Sequence, residues 1–258
     1  MKKIISLLLA LAMVFALAAC GQKDEAKVYA VEAGSAGEAA ALEEGYEINS
    51  VDTQAKALME VDAGTSDAAI IDSLMAGAMV GEGTSYPDLV VTDQKLTEEL
   101  YGAGCRKGSD LAAYINDVMS EAYADGTMQA LAETYGVQAA LVEQPEATGS
   151  TPAADGDVAY IQGKGTLVVG ITDFAPMDYK DENGEWIGFD ADMAKIVAEK
   201  LGVEIQFVEI DWDNKVFELD GKAIDVVWNG MTLTDAMLEA MECTNAYCNN
   251  AQVVVTKG

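Results

Sequence analysis

The stretch GTLVVGITDFAPMDYKDENGEWIGFD, from Gly165 to Asp190, decides how the chain is read. An apolar strand runs into an aromatic-Ala-Pro turn, then a hairpin around Asn183-Gly184, then a Gly-Phe-Asp helix start. That order of strand, turn and helix opens an α/β domain. Here it stands well past the middle of a 258-residue chain, so something of comparable size precedes it.

At the front, Lys2 and Lys3 precede an apolar run from Ile4 to Ala19 that meets Leu17-Ala18-Ala19-Cys20. A basic start, a short apolar run and small residues before a cleavable bond read as an export signal, not a membrane span. The pattern resembles a bacterial lipobox, which implies that Cys20 becomes the lipidated first residue of the mature chain. A plain secretory signal with an incidental cysteine is the alternative. Residues 1–19 are thus expected to be a lipoprotein signal peptide and 20–26 a polar tether, with the body extracytoplasmic and anchored to the cell membrane.

Without residues 1–19, 239 residues remain, enough for two modest lobes with proper cores. Loss of Lys2 and Lys3 leaves 13 basic against 44 acidic residues and moves the net charge from −29 to −31. Such a surface repels nucleic acid, so no nucleic-acid partner is expected. There is no histidine. Serine and cysteine triads that pass a proton through imidazole are excluded, while carboxylate acid–base chemistry stays open. Cys105, Cys243 and Cys248 lack C-x-x-C spacing, and no metal site or cofactor is expected. A Cys243–Cys248 disulfide is compatible with the sequence but not implied by it.

The segment Val142–Asp157, VEQPEATGSTPAADGD, has no apolar period and reads as a flexible linker. Before it, strands at Lys27–Val31, Glu47–Val51, Ala68–Ile71 and Leu89–Val91 alternate with helical patterns, a rhythm that suggests a parallel sheet. Two helices follow, Ser109–Ala124 and Thr127–Tyr135. After the linker come strands at Thr166–Ile171, Glu204–Val208, Val226–Trp228 and Gln252–Thr256, with helices at Ala191–Leu201, Asp213–Leu219 and Asp235–Met241. Both halves are α/β.

The segment LVVGITDFAPMDYKDENGEWIGFDADMAKIVAEKLGVEIQFVEIDWDN, followed by GKAIDVVWNGMTLT, resembles the first lobe of the polar-amino-acid family (family 3) of extracellular solute-binding proteins, which serve ABC importers. The front half resembles the same family's second lobe and carboxyl end, through VEAGSAGEAA, GTSDAAIIDSLMA and LYGAGCRKGSDLAAYINDVMSEAYADGTMQALAETYG. The resemblance implies a two-lobe, periplasmic-binding-protein-like type II fold with an inter-lobe cleft, here circularly permuted. Its expected divisions are residues 27–99 as second lobe, 100–106 as hinge crossover and 107–141 as closing helices of the first lobe. Residues 142–157 are then the linker, 158–250 the first lobe and 251–258 the second hinge strand. Chain ends that lie close together at a surface make such a rotation feasible.

The resemblance also implies a site. Phe174 matches the aromatic that stacks on the ligand and Trp212 a second aromatic wall. Asn229, Gly230 and Thr232 match the loop that holds polar ligand atoms. Asp72 matches the carboxylate that receives a ligand ammonium, and Asp173 lies near a position that assists it. Two positions depart from the family. The arginine that grips the ligand α-carboxylate is replaced by Met237, and its partner threonine by Ala36, leaving Ser35 as the only hydroxyl in that turn. A ligand that keeps a cationic amine but lacks a conventional carboxylate fits both losses together. Trp228 and Tyr247 are further candidates for its aromatic surround. A polar amino acid held by other donors, such as helix-terminal N–H groups, is the competing ligand.

Duller roles stand beside these. Trp228 and Tyr247 could be core, and Asp72, Thr232 and Asp235 could be helix caps. The function implied is capture of a small amine or amino acid and its delivery to an ABC permease, without catalysis. A secreted dehydratase-like enzyme on the same fold, or a ligand-sensing module, is the alternative.

Overall fold

A computed structural model describes residues 27–258; the expectations for the signal peptide, Cys20 and the tether lie outside the described residues. The front half contains β1 (Val28–Glu32), α1 (Ala36–Glu43), β2 (Glu47–Val51), α2 (Gln54–Ala63), β3 (Ala68–Asp72), α3 (Ser73–Met79) and β4 (Leu89–Lys95). Short strands β5 (Glu99–Tyr101) and β6 (Gly104–Cys105) then lead to α4 (Leu111–Ala124) and α5 (Thr127–Thr134). The rear half begins with α6 (Asp157–Lys164), β7 (Thr166–Ile171), the hairpin β8 (Tyr179–Lys180) and β9 (Trp186–Ile187), α7 (Phe189–Leu201) and β10 (Glu204–Glu209). A 3-10 turn (Trp212–Asn214), α8 (Lys215–Asp220), β11 (Val226–Val227), α9 (Asp235–Ala240), β12 (Glu242–Cys243), β13 (Cys248–Asn250) and β14 (Gln252–Lys257) complete it.

These elements build two five-stranded sheets of matching design, one per lobe. The first has the order β2-β1-β3-β14-β4 and the second β10-β7-β11-β6-β12. In each, three parallel strands are followed by one antiparallel strand that arrives from the other half of the sequence: β14 in the first, β6 in the second. β3, Ala-Ala-Ile-Ile-Asp, is buried along its whole length, as a central strand covered on both faces must be. β4 lies at the sheet edge and leaves Val90 and Val91 exposed.

Local chemistry sets the helix ends. Ser35 and Thr53 accept the third backbone N–H of α1 and α2, and α2 ends on Gly64 in the left-handed region, where a side chain would be strained. α7 buries Phe189, Met193, Val197 and Leu201, a four-residue repeat on one face, and packs against α4, which buries Ile115 and Met119.

The structure revises several boundaries. The two chain passages between lobes pair as a ribbon, Glu99–Tyr101 antiparallel to Cys248–Asn250, so the hinge lies a few residues earlier than 100–106 and ahead of 251–258. Gly104–Cys105 and Gln252–Lys257 are sheet strands instead, since each can satisfy its backbone groups against two neighbours. The segment expected as a loose linker is docked: both Asp117 oxygens accept N–H and hydroxyl bonds from Thr148 and Ser150 at 2.6–3.0 Å. Its end, Asp157, already belongs to α6. The helix expected over Asp213–Leu219 splits into the 3-10 turn and α8.

Arg106, just after β6, ties the front half to the rear lobe. Its guanidinium donates to the carbonyls of Leu219 and Ile224 at 3.3 and 2.8 Å, to Asp157 at 3.0 Å and to the fully buried Asp225 at 3.4 Å. Asp225 also holds Lys164 at 2.6 Å and the Val168 N–H at 2.8 Å, so the buried carboxylate is well paired. Cys105, Cys243 and Cys248 are all free thiols. Among the described residues no helix is long and apolar enough to cross a membrane, and no group of three His, Cys, Asp or Glu side chains is placed to hold a metal.

Candidate functional site

The carboxyl ends of β1 and β3 face the loops that follow β10 and β11 across a cavity of about 290 Å³. Strand ends of this kind are where open α/β sheets place ligands. Both lobes supply its wall. From the first come Glu32, Ser35, Ala36, Glu38, Gln54 and Asp72; from the second, Trp212, Lys215, Asn229, Gly230, Met231, Thr232, Thr234 and Met237.

Eight residues singled out from the sequence therefore meet at one cavity: Asp72, Trp212, Asn229, Gly230, Thr232, Ser35, Ala36 and Met237. Four do not. Phe174 is buried behind the wall, edge-on to Tyr101 at 6.4 Å between ring centroids, and a Cβ on Gly230 would come within 2.3 Å of its ring. Gly230, at φ +55°, is thus the layer between Phe174 and the cavity, and only a glycine leaves room for it. Trp228 and Tyr247 are core: both are buried, 6.3 Å apart, with the Tyr247 hydroxyl donating to Asp190 at 2.7 Å. Asp173 sits on an exposed turn away from the cavity wall.

Asp72 occupies the N-cap position of α3 but makes no capping bond. Its carboxylate turns instead to amides: Gln54 donates to Oδ2, while Asn250 and Gln252 donate to Oδ1. Burial raises its pKa to about 7, with the Glu99 charge adding to the shift and the amide bonds opposing it. Asn250 and Gln252 also donate to Glu99, at 2.9 and 3.0 Å, and Glu99 accepts the Thr232 hydroxyl at 2.9 Å. A polar chain thereby runs from Asp72 through the hinge ribbon to the loop of the opposite lobe.

Three charged groups in the wall escaped the sequence reading. Glu32, the last residue of β1, is 3% exposed; burial, reinforced by the Asp72 charge, pushes it up to about 8. Lys215 is buried and donates to the carbonyls of Gly34 and Trp212 at 3.0 and 2.9 Å, bridging the lobes. Its ammonium lies 4.7 Å from the Trp212 ring centroid, on the aromatic surface where a ligand cation was expected. Burial lowers its pKa, and the Glu32 and Asp213 charges oppose that. Glu38 closes the start of α1: it accepts the Gly34 N–H at 2.8 Å while Ser35 accepts the Glu38 N–H at 3.1 Å, a reciprocal cap. The signal available for Glu32 was its place, a charged residue ending a parallel strand just before a glycine turn.

The loop of the second lobe is held from behind. Asn229 exchanges bonds with Thr172, accepting its N–H at 2.9 Å and donating to its hydroxyl at 2.8 Å, and Asp190 accepts the Gly230 N–H at 2.7 Å. Thr234, not Thr232 or Asp235, is the N-cap of α9. Among the described residues no arginine lines the cavity, and Lys215 is its one cation.

Residues 167–258 match the family described as bacterial extracellular solute-binding proteins, family 3. A probable amino-acid ABC transporter-binding protein of Haemophilus influenzae is 34% identical over 110 residues, 42% of this chain and 43% of that protein. The L-cystine-binding protein TcyJ of Escherichia coli is 32% identical over 108 residues, 41% of each chain. The arginine-bound form of domain 1 from TmArgBP is 32% identical, with 36% of this chain and 84% of that one covered at a TM-score of 0.31. The chain spans less than half the length of the curated relatives it matches. Residues 167–258 of this chain thus carry the sequence pattern of the bacterial extracellular solute-binding proteins, family 3.

Proposed function

We propose that this protein is an extracytoplasmic, lipid-anchored binding protein that captures a small amine-bearing solute between its lobes and delivers it to an ABC importer. The observation that carries the ligand class is the make-up of the cavity wall: among the described residues, three carboxyl groups, Glu32, Glu38 and Asp72, face a single basic side chain, Lys215. An α-carboxylate finds little there to hold it. Met237 stands where a guanidinium would be, Lys215 is engaged by two carbonyls, and the first turn of α1 carries its own carboxylate in Glu38. A cation, by contrast, meets buried acceptors whose attraction strengthens when closure removes water.

The names of the matched relatives, amino-acid and cystine binders, support import of a small nitrogen-bearing solute. The crossing of both chain halves between the sheets supports the permuted order, in which the family's opening segment follows its closing helices. In this reading the lobes rotate about the β5–β13 ribbon, and the solute favours the closed form through contacts available only there.

Calorimetry on the full chain with two pairs, L-lysine against cadaverine and L-arginine against agmatine, tests the proposal. Saturable binding of the decarboxylated amine, tighter than that of its parent amino acid, supports it. Tight binding of the amino acids with the amines inert overturns the ligand class, and no binding in either pair overturns the capture of an amine altogether.

A further inference from the structure

Most polar groups on the cavity wall are already committed to the protein. Asn229 is paired with Thr172, Thr232 with Glu99, and Asp72 carries three amide donors, two of them on Oδ1. Glu32 differs. It lines the cavity almost fully buried, and its Oε1 has no hydrogen-bond partner among the described residues. A buried carboxylate oxygen left unpaired is costly, and such a group persists where a ligand completes it.

Resting on the amine reading above, we infer that Glu32 is the primary acceptor of the solute's positive group and that Asp72 receives a second one, so that the cavity selects a compact dication. The two residues end β1 and β3, which are parallel neighbours, and Gln54 lies at the same wall with its amide on Asp72. An oxygen of a carboxylate accepts about two bonds, so Oδ1 of Asp72 is full while Oδ2 keeps one position open. Glu32 has the larger unused capacity. Trp212, Met231 and Met237 supply apolar wall for a methylene chain between two charged ends.

The charged groups that act on Glu32 come from each element around it: Asp72 from β3, Lys215 from α8 and Asp211 from the turn before it. Lys215 is the only counter-charge among these, and two of its three N–H donors go to the carbonyls of Gly34 and Trp212. With burial holding Glu32 protonated at neutral pH, an arriving ammonium takes the place of that proton. The solute nitrogen keeps its own hydrogens, the Glu32 proton passes to bulk water, and no bond is made or broken besides that O–H.

The test is calorimetry of the full chain at pH 7 in two buffers of different ionisation enthalpy, with cadaverine as dication and n-pentylamine as a monocation of equal length. Cadaverine is expected to bind about 10-fold or more tightly than n-pentylamine, with proton release that comes mostly from Glu32 and in smaller part from Asp72. Glu32→Gln should weaken cadaverine by roughly 30-fold and remove most of the release, leaving only the fraction that comes from Asp72, while Asp72→Asn weakens binding but keeps the larger share of the release. Melting of Glu32→Gln without ligand at pH 8, expected at or above wild type, shows that the variant folds; Glu32→Asp, with partial release, is the second variant. Wild-type affinity and proton release in Glu32→Gln would overturn this inference alone. Equal binding of the two probes would overturn the dication selection, and failure of both probes to bind the wild type would take the amine reading down with it.

Discussion

The Lys215 ammonium lies 3.0 Å from the carbonyl oxygen of Gly34, and the two residues belong to different lobes. A Cβ at Gly34 would meet the backbone of Asp213 at 2.7 Å, so the lobes touch at this point and the lysine sits beside the contact. Hydrogen bonds to a charged donor contribute about 1.5–3 kcal/mol when buried. Lys215 is therefore a closing contact as well as the one cation on the cavity wall among the described residues.

Lys215→Met should shift the ligand-free chain toward an open form. Small-angle scattering would read this as a larger radius of gyration without loss of cooperative melting. An unchanged radius would mean that the bridge adds nothing to closure.

Gly230→Ala should destabilise the fold by about 2–4 kcal/mol, because the new Cβ meets the Phe174 ring and the left-handed backbone there suits only glycine. Urea unfolding checks it. The same loss in Gly45→Ala, where a Cβ meets nothing within 4 Å, would assign the cost to backbone strain alone.

Arg106→Met should cost about 3–5 kcal/mol, since it leaves Asp225 buried with Lys164 as its only remaining cation. Combining it with Asp225→Asn should recover part of the loss in denaturant melts. No recovery would move the cost to the carbonyls of Leu219 and Ile224.

Ligand-free stability should fall as pH rises from about 4 toward 8. Glu32 is raised by burial to about 8, Asp72 and Asp190 to about 7, and Asp178 is pushed well up beside Asp190. Between the ordinary carboxylate range and these values the native state holds protons that the unfolded chain has released, so rising pH favours unfolding. Asp117 acts in the other direction: the hydroxyl and N–H donors of Ser150 and Thr148 outweigh desolvation and lower it to about 2, and its contribution is lost only as pH falls below about 4. The melting temperature is expected to be highest near pH 4–5 and lower by roughly 5 °C or more at pH 8. A melting temperature that climbs steadily to pH 8 would contradict the burial of these acids.

Trp212→Ala should weaken amine binding about 10-fold with a modest effect on melting, whereas Trp228→Ala should cost about 3–5 kcal/mol of stability. The contrast follows from placement, since Trp212 borders the cavity and Trp228 is buried beside Tyr247.

Periodicity and caps made most strands and helices legible, because those signals are local: Ala68–Ile71 and Thr166–Ile171 are strands within a residue, and Gly202 ends α7. The resemblance placed Asp72, Trp212 and the Asn229–Thr232 loop on one cavity wall. It also put Phe174 there, where the fold sets Gly230 between that ring and the cavity. Nothing local tells which face of a turn an aromatic will take.

From the sequence alone came the α/β alternation in both halves, the family 3 segment and the absence of an arginine at Met237, all properties of residue order. Tertiary structure decided the electrostatics. Glu32 and Asp72 acquire their character from the water they lose and from neighbouring charges, Asp72 on Glu32 and Glu99 on Asp72, and Lys215 finds Gly34 across 181 positions of sequence. Desolvation and charge pairing act through distance in space, and only the folded chain sets those distances.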